Sequence, residues 1–528
     1  MPTYLTPGVY VEEIPAQSKP IEGVGTSVAA FVGLAPGGPL NTPMRISNWT
    51  QFAKIFGDPS NPDAGPFMSG AYLAHSVYGF FQNGGGLCWV VRVGGESSNG
   101  SGPPPAQAAL PAAANPTVDA WRAVALPGVD GDVAIELSEE PPPPPPEGEG
   151  EGDAGGKEPE PSWRLIVTAG GEREEHEGLT LKRGRTNLAT KVNAASKLIR
   201  IEETGASLPE GQRAPATGSY SLVSAAVAPT DLSGSDFEGD VARRQGLGSI
   251  AAIDEVTMVV VPDLQTLSED VQVRDLQGKI IAHCENAGDR MAILDGPADM
   301  LPQDILEWRM DTAGYDSKFA TLYYPWIEVM DPLTNQPILV PPSGHVAGVW
   351  ARTDGTRGVH KAPANEVVLG ANGLAFQVTH EEQGGLNTNG VNCIRAFSGR
   401  GIRIWGARTL SSDPEWRYVN VRRLFNYVSE SIIEGTQWAV FEPNDHRLWT
   451  RLRISSANFL TRVWRDGALF GATPEQAFYV KCDAETNPPE AVEAGQVVIE
   501  IGIAPVKPAE FVVFRISQFT AGAAEVSA

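Results

Sequence analysis

Cysteine and histidine are scarce in this chain, which has 4 and 7 of them among 528 residues. Cys88, Cys284, Cys393 and Cys482 lie far apart, and no two of them have the two-residue spacing that zinc knuckles and redox motifs use. His283 beside Cys284 is the one close pairing of imidazole and sulfur, and adjacent residues of a helix or strand point in different directions. We therefore expect buried thiols, no metal site and no cofactor.

Positive charge is also in short supply, because 40 lysine and arginine residues stand against 64 acidic ones and leave a formal net charge of −24. Nucleic acids and anionic membranes select for clustered basic residues, so neither is expected as a direct partner. The sequence has no apolar run of about eighteen residues, and it does not begin with the basic and then hydrophobic segments of a secretion signal. We expect the protein to remain in the cytoplasm, where it is made.

Apolar residues make up 42% of the chain, enough to build several cores, and the length suggests three or four domains. The proline, glutamate and glycine residues of 138–162 predict a disordered loop, since such a segment buries too little apolar surface to offset its ordering entropy. The predicted units are an N-terminal arm (1–20), the first part of a core domain (21–95), an inserted accessory domain (96–247), a middle α/β domain (248–360), a C-terminal core domain (361–504) and a C-terminal arm (505–528).

Alternating strand and helix signals predict a parallel sheet in the middle domain. Val256–Val261, Met291–Leu294 and Phe319–Trp326 are short apolar runs. The helix-like segments Val271–Asn286 and Pro302–Met310 separate them. We expect a multidomain fold of the α/β and α+β classes.

Helices and strands are predicted outside the middle domain as well. The helices are Phe67–Gln82, Asn187–Ile199, a segment that begins near Ser412–Pro414, and His446–Arg465. The strands are Leu87–Val93, Trp121–Leu137, Trp163–Ala169, Val391–Phe397, Ile402–Leu410, Val497–Ile503 and Phe511–Ile516.

A strand-like segment lies close to the start of the sequence. Val9 and Val11 would lie on one side of a strand, and Tyr10 and Glu12 on the other. Pairing within the chain's own sheet and pairing with a neighbouring subunit fit this pattern equally well.

The end of the sequence carries a second such segment. Residues 505–528, extended at about 3.3 Å per residue, reach roughly 75 Å, far enough to add a strand to a neighbour's sheet. The apolar residues of this segment are Phe511, Val512, Val513, Phe514 and Ile516.

Several short motifs follow one another in a fixed order. They are Thr26–Gly33 (TSVAAFVG), Asn83–Val93 (NGGGLCWVVRV), His360–Asn365 (HKAPAN), Trp405–Leu410 (WGARTL), Tyr418–Arg423 (YVNVRR) and Phe441–Asp445 (FEPND). In this order they strongly resemble the sheath protein of contractile phage tails and related contractile injection systems. The resemblance covers roughly the first hundred and the last two hundred and eighty residues.

This resemblance implies a structural protein without enzymatic activity. Such a subunit polymerises as stacked hexameric rings around an inner tube and contracts to drive the tube through a target envelope. The implied partners are further copies of the chain, the inner tube protein, and baseplate and terminator (cap) proteins. The particle would assemble in the bacterial cytoplasm and act as a virion tail or as a released particle, and the motifs do not distinguish these two.

The resemblance also implies an architecture. The middle domain would be a subtilisin-like scaffold without catalysis, the arms at both termini would weave neighbouring subunits together, and the insertion would face outward because the tube occupies the inner face. One chain that carries both the N-terminal arm and the C-terminal helix differs from the two-chain sheaths of type VI secretion.

The predicted helix His446–Arg465 is basic in an otherwise acidic chain. Its arginines are Arg447, Arg451, Arg453, Arg462 and Arg465. One interpretation is a solvated face that pairs with acids of its own domain. The other is a tube-facing helix on an acidic tube, since the resembled family attaches to its tube through a helix of this domain.

An alternative function is a protease-like hydrolase with a subtilisin fold, suggested by Val340–Gly348 (VPPSGHVAG). When the shared His-Val-Ala-Gly is aligned with the subtilisin motif, Val340 occupies the position of the nucleophile. Valine has no hydroxyl, and Ser343 lies three residues later without reason to occupy the same turn. We therefore expect no catalytic residues.

Overall fold

The structure is a computed structural model that describes residues 20–59, 65–94, 106–126, 129, 133–140, 161–182, 184–204, 213–222, 232–267 and 270–514. From residue 20 to 94, the elements are β1 (Val28–Gly33), β2 (Met44–Ile46), α1 (Trp49–Phe56), α2 (Leu73–Gln82) and β3 (Leu87–Arg92). From 106 to 222, they are β4 (Gln107–Ala112), β5 (Asn115–Ala125), β6 (Val133–Glu140), β7 (Ser162–Ala169), β8 (Glu172–Leu179), α3 (Leu188–Ala195), β9 (Ile199–Glu203) and β10 (Gly218–Leu222).

The second half of the chain alternates more regularly. From 232 to 410, the elements are α4 (Gly234–Glu238), β11 (Met258–Val260), α5 (Asp270–Ala287), β12 (Met291–Asp295), α6 (Pro302–Glu307), β13 (Ala320–Tyr324), β14 (Ile327–Met330), β15 (Pro337–Val340), α7 (Ser343–Arg357), β16 (Glu366–Val367), β17 (Gly373–Leu374), α8 (His380–Thr388), β18 (Val391–Phe397) and β19 (Gly401–Ile404). From 411 to 514, they are α9 (Val419–Thr436), α10 (His446–Arg465), α11 (Pro474–Ala477), β20 (Phe478–Lys481), α12 (Pro489–Glu493) and β21 (Glu500–Ile503).

The central sheet has nine strands in the order β16-β19-β18-β13-β12-β11-β1-β3-β2. Its inner strands, from β18 to β3, are parallel, whereas the strands at both edges are antiparallel to their neighbours. The parallel order predicted for the three strands of the middle domain is confirmed. The sheet also takes strands from before residue 95 and from after residue 361, so segments that the sequence analysis divided share one sheet.

Helices cover both faces of the central sheet because its inner strands are apolar at nearly every position. On one face, Val259 is buried together with Leu276 of α5. On the other face, Val260 is buried together with Phe80 of α2 and Trp350 of α7. The strand β3 (Leu87–Arg92) of this sheet is also apolar at nearly every position, so it too is expected to be covered on both faces.

The described residues between 106 and 222 fold around a hydrophobic core of their own, in which Leu110, Trp121, Leu165 and Ile201 are buried. One antiparallel sheet has the order β4-β5-β9, and the other has the order β10-β6-β7-β8. None of these described strands pairs with the central sheet. Of the loop predicted over 138–162, residues 138–140 end β6 and residue 162 begins β7, whereas 141–160 lie outside the described residues.

Residues 411–514 form a helical unit with a small sheet. Helices α9 and α10 pack through Leu424, Val428, Phe459 and Leu460. Strands β20 and β21 pair with each other in antiparallel order.

The helix predicted from Ser412–Pro414 was placed too early, because α9 begins at Val419. The Thr409 backbone nitrogen donates to the Arg417 carbonyl at 2.8 Å, and this long-range pairing holds the intervening residues in a loop. Local capping signals do not report such a contact.

Other limits also differ from the prediction. The run Trp121–Leu137 is divided between β5 and β6, which belong to different sheets. Helix α2 begins at Leu73 rather than Phe67, and Gly70 before it has a positive φ of 76°. Helix α3 ends at Ala195, and the strand predicted over Ile402–Leu410 is β19, which ends at Ile404.

Candidate assembly surfaces

Helix α10 spans the predicted residues because its N-terminus is capped. The Asp445 carboxylate accepts hydrogen bonds from the backbone nitrogens of Arg447 and Leu448, both at 2.9 Å. An apolar stripe that includes Leu452 and Phe459 is buried. The opposite side of the helix faces solvent.

Four of the five predicted arginines share the exposed side of α10. At about 100° per residue, they fall within about 60° of one another around the helix axis. They are Arg447, Arg451, Arg462 and Arg465. Arg453 is exposed on the other flank, and Ile454, which is 51% exposed, lies between the two groups.

Two of these arginines have partners within the subunit. The Arg462 guanidinium donates to the carbonyl oxygen of Ile21. Arg451 lies 4.2 Å from the centroid of the Trp438 ring and 3.5 Å from the Glu442 carboxylate. For Arg447 and Arg465, in contrast, the described part of the chain shows no ion pair. On this side of α10, the arginine side chains without an ion pair or hydrogen-bond partner among the described residues are therefore those of Arg447 and Arg465.

Part of each predicted arm lies outside the described residues. This applies to Val9, Tyr10, Val11 and Glu12 of the N-terminal arm and to Ile516 of the C-terminal arm. The segments that join both arms to the body are described.

The N-terminal segment runs along α9 in the opposite direction to the helix. Ile21 packs over Gly435 near the C-terminal end of α9, where a Cβ would lie 2.8 Å from the Ile21 side chain. One turn earlier on the helix, the Val24 backbone nitrogen donates to Ser431 Oγ at 3.1 Å. Ile21 is 1% exposed, so the chain is anchored at this residue.

A buried ion pair ties the same segment to the central sheet through α7. Arg423 of α9 and Asp354 of α7 meet at 2.5 Å, and both side chains are 4% exposed. The Thr26 hydroxyl donates to Asp354 at 2.7 Å, and Arg423 donates to the Thr26 carbonyl at 2.9 Å. The guanidinium also lies 4.7 Å from the centroid of the Trp350 ring.

The C-terminal segment is anchored at Glu510. Arg408 donates to its carboxylate through Nη2 at 2.6 Å and Nε at 2.8 Å. Asn387 Nδ2 donates at 2.7 Å, and the Tyr418 hydroxyl at 3.1 Å. Burial acts to raise the pKa of Glu510, but these donors outweigh it and lower that pKa below its usual value. We call Glu510 with these three partners the Glu510 clamp.

Directly after Glu510 the chain is apolar and exposed. Phe511, Val512, Val513 and Phe514 are 74%, 69%, 78% and 83% exposed. The strand predicted from Phe511 is not formed in its described part. Four consecutive apolar side chains in solvent are a marker of an interaction segment.

The β20–β21 sheet is the second unpartnered feature of this unit. Neither of its strands pairs with a further strand among those described. A sheet edge presents unpaired N–H and C=O groups that can accept an additional strand. Tyr479 on β20 is 54% exposed.

The protease-like motif lies in the core. The Ser343 hydroxyl donates to Asp295 at 2.5 Å, and the Ser343 backbone nitrogen donates to the same carboxylate at 2.8 Å. Ser343 and His345 are 0% and 2% exposed, and no hydrogen bond joins them within the described residues. Burial, with a smaller contribution from His75, lowers the pKa of His345 to about 3. The contact of a nucleophile with its base is therefore not formed here.

The described residues contain no group of three histidine, cysteine or acidic side chains suited to a metal ion. Within the same residues, no helix is long and apolar enough to cross a bilayer. The prediction of buried thiols is confirmed, because all four cysteines are free and buried. Burial raises the pKa of Cys393 to about 12.

Sequence reasoning missed the Glu510 clamp and the anchor at Ile21. The one local signal for the clamp is a single acid directly before an apolar run, and Arg408 lies within the WGARTL motif. For Ile21 the sequence holds no signal, since its partners lie more than four hundred positions away.

Two sequence families match the second half of the chain. Residues 244–410 match the phage tail sheath protein central domain. Residues 411–519 match the phage tail sheath C-terminal domain, and the two matches together cover just over half of the chain. The two matches meet at 410/411.

Curated relatives point to the same family. A putative prophage major tail sheath protein of Pseudomonas aeruginosa is 28% identical over 230 residues, which are 43% of this chain and 57% of the relative. The tail sheath protein of Salmonella phage ViI is 28% identical over 208 residues, which are 38% of this chain and 32% of the relative. The matched region thus spans between about a third and somewhat over half of these relatives' lengths.

Solved structures share the fold over almost the whole chain. The helical sheath of the anti-feeding prophage in its contracted state is similar with a TM-score of 0.58 and 23% identity, covering 98% of this chain and 100% of that one. The sheath complex of an extracellular contractile injection system, PVC, in its contracted state gives a TM-score of 0.57 and 24% identity, covering 98% and 99%. The chain therefore belongs to the contractile tail sheath protein family.

Proposed function

We propose that this protein is a structural, non-enzymatic subunit that polymerises as stacked hexameric rings around an inner tube and contracts to drive the tube through a target envelope. The observation that carries this proposal is the helical unit of residues 411–514. It holds the start of the N-terminal arm through Arg462 and contributes Tyr418 to the Glu510 clamp. It also exposes an apolar segment after Glu510 and contains the β20–β21 sheet, which no further described strand joins. The sheaths among the similar structures support the same function.

The arms connect neighbouring subunits by strand addition. The exposed segment Phe511–Phe514 has the apolar character of a strand that pairs elsewhere, and the β20–β21 sheet offers edges of the kind that accept one. Backbone hydrogen bonds between strands do not depend on one fixed angle between the bodies that carry them. Such links therefore persist while subunits rotate against each other.

The exposed side of α10 faces the tube. Arg447 and Arg465 supply positive charge in a chain of net charge −24, and Ile454 supplies an apolar contact beside them. We infer that the tube surface at this contact is acidic with an apolar centre. Arg462 contributes indirectly, because it holds Ile21.

Contraction draws on two packings of the same subunits. A sheath assembled in a strained extended lattice releases free energy when it relaxes to a shorter and wider one, so no nucleotide is required at that moment. The middle of the chain acts as a subtilisin-like scaffold without catalysis, and the insertion faces outward. The assembly functions as a phage tail or as an extracellular contractile injection particle, together with tube, baseplate and terminator proteins.

Electron microscopy of the purified chain, expressed alone and with its tube protein, tests this proposal. We expect hollow, helically striated cylinders, with different diameters in the presence and absence of the tube. Chains that lack residues 1–18 or 505–528 should remain folded monomers that do not polymerise. Monodisperse particles of the full chain under both conditions would contradict the sheath function, and unimpaired polymerisation of either truncated chain would contradict the arm assignment.

The tube contact has its own test. The double variant Arg447→Glu/Arg465→Glu should lose binding to the tube, measured by co-sedimentation, while sheath–sheath assembly is retained. Arg453→Glu is the matched control, because it reverses a charge on the other flank of the same helix and should bind as the wild type does. Equal tube binding by the wild type, the double variant and the Arg453→Glu control would contradict the proposal that this side of α10 faces the tube.

A further inference from the structure

The two arms start at opposite ends of one helix. The Glu510 clamp includes Tyr418, the residue that precedes α9. Ile21 packs over Gly435, one residue before the end of α9. At about 1.5 Å per residue, the 18 residues of α9 hold these two points about 27 Å apart.

The C-terminal attachment continues along the chain before the clamp. Asn420, in the first turn of α9, donates through Nδ2 to the Val506 carbonyl at 3.1 Å. The Val506 backbone nitrogen in turn donates to the Ala468 carbonyl at 3.2 Å. Residues 506–510 are thus fixed at several points before the exposed segment begins.

The clamp holds Glu510 with more hydrogen bonds than a typical surface ion pair provides. Arg408 is 9% exposed, and its ion pair with Glu510 is assisted by two further donors to the same carboxylate. Charge-assisted and two-pronged hydrogen bonds of this kind fix direction as well as distance. A partly buried acid that is held by three residues directly before an apolar segment therefore sets the direction in which that segment leaves the body.

We propose that α9 is the mechanical link between the two arms, and that Glu510 and Ile21 are the positioning residues that attach one arm to each of its ends. This inference rests on the proposed sheath function. A pull on the C-terminal arm reaches α9 through Tyr418 and Asn420 and leaves at Ile21. Arg408 passes part of the load to the central sheet, because its backbone nitrogen donates to Asn392 Oδ1 of β18 at 2.7 Å. The sheet is joined to α9 from the side, through Arg423 and Asp354.

This arrangement also lowers the cost of assembly. A segment whose first residues are already oriented loses less conformational freedom when it pairs with a neighbour. Release of the clamp should therefore weaken polymerisation without altering the surface that pairs.

Distance measurement on the soluble full-length chain tests the clamp independently of sheath formation. Spin labels are placed at Val512→Cys, directly after the clamp, and at Ile433→Cys, which replaces a residue of α9 that is 58% exposed. The four native cysteines are buried and remain unlabelled in the folded protein. We expect a narrow distance distribution, and Glu510→Ala should widen it at least twofold.

Two further variants keep this measurement decisive. Glu490→Ala removes an exposed acid on α12 and should leave the distribution unchanged. Glu510→Gln preserves the shape of the side chain and serves if Glu510→Ala does not fold, as judged by circular dichroism. A distribution that stays as narrow in the folded Glu510 variants as in the wild type overturns the clamp.

Sheath length tests whether the two attachments form one link. Glu510→Ala releases one end, and Gly435→Ala displaces Ile21 at the other. Each should shorten contracted sheaths severalfold in electron micrographs. Because the two ends are in series, the double variant should shorten them no further, whereas additive effects overturn the single link. A wild-type chain that forms no sheath refutes the proposed function, and the spin-label distances still decide the clamp.

Discussion

The replacement Asp354→Asn should loosen the arm-bearing helix from the central sheet. Asp354 is the shared acceptor of Arg423 and Thr26, and its side chain is 4% exposed. The amide that replaces it is neutral and has one acceptor oxygen, so Arg423 is left as a buried charge without a compensating anion. Because asparagine and aspartate have nearly the same size, the packing around both residues is unchanged.

The burial of this pair determines the expected magnitude. Removal of one partner from a buried ion pair costs about 3–5 kcal/mol, because the remaining charge stays in a poorly solvated site. Asp275→Asn is a matched control on α5, where the acid pairs with Lys279 at 2.8 Å but is 65% exposed. Such an exposed pair contributes about 0.3–0.5 kcal/mol, so the two variants should differ about tenfold in their cost.

Hydrogen exchange of the α9 amides is the suitable assay, since a chain with several cores does not unfold in one two-state step. At about 1.4 kcal/mol for each factor of ten, Asp354→Asn should reduce protection in α9 by between about two and four orders of magnitude. The double variant Asp354→Leu/Arg423→Met removes both charges and should recover most of this loss. Protection within a factor of about three of the wild type in the single variant, or a double variant as unprotected as the single one, would refute the reasoning.

Two further predictions concern helix α7 and the buried carboxyl of Asp295. Gly348→Ala places a Cβ 2.5 Å from the Phe80 carbonyl oxygen and should destabilise the fold by about 1–3 kcal/mol. Gly355→Ala, in open space on the same helix, should stabilise it by about 0.5–1 kcal/mol. Shifts of the melting temperature in the same direction for both variants would contradict this prediction. Burial raises the pKa of Asp295 to about 7, so its contribution to stability is complete below about pH 4 and is lost as the pH rises through about 7. Asp295→Asn should therefore flatten the fall in melting temperature between about pH 4 and pH 7, and an unchanged slope would show that Asp295 does not hold a proton in the fold.

The sequence predicts elements well where the signal is local. Helix α10 matches its predicted limits because the Asp445 cap and the apolar stripe both lie within the segment. The start of α9 was wrong because the contacts that hold residues 411–418 in a loop come from Arg408 and Thr409, which a helical pattern does not include.

The candidate surfaces depend on contacts between distant residues. The YVNVRR motif was recognised as a family signature, but its local pattern does not show what its residues do. In the fold, Tyr418 binds Glu510, Asn420 binds Val506, and Arg423 binds Asp354. These partners lie between 69 and 92 positions away, so only the assembled fold reveals that one motif joins an arm to a sheet.

Arms and open sheet edges are equal in number in the proposed lattice. Each chain contributes two arms, and the β20–β21 sheet has two edges without a further strand among the described residues. If each arm fills one edge of a neighbour, the interior of the lattice leaves no arm and no edge unused. This balance makes the assembly sensitive to a subunit that accepts arms but donates only one.

A chain that lacks residues 505–528 is such a subunit, and we expect it to poison assembly of the wild type. Every incorporated copy leaves one neighbouring edge empty, so the mean length of sheaths should fall steadily as its share of the mixture rises. Wild-type protein at the same total concentration is the control for dilution. Sheaths of undiminished length that contain the truncated chain, as shown by mass spectrometry of the purified particles, would mean that the C-terminal arm does not close an edge, because an open edge then costs the lattice nothing.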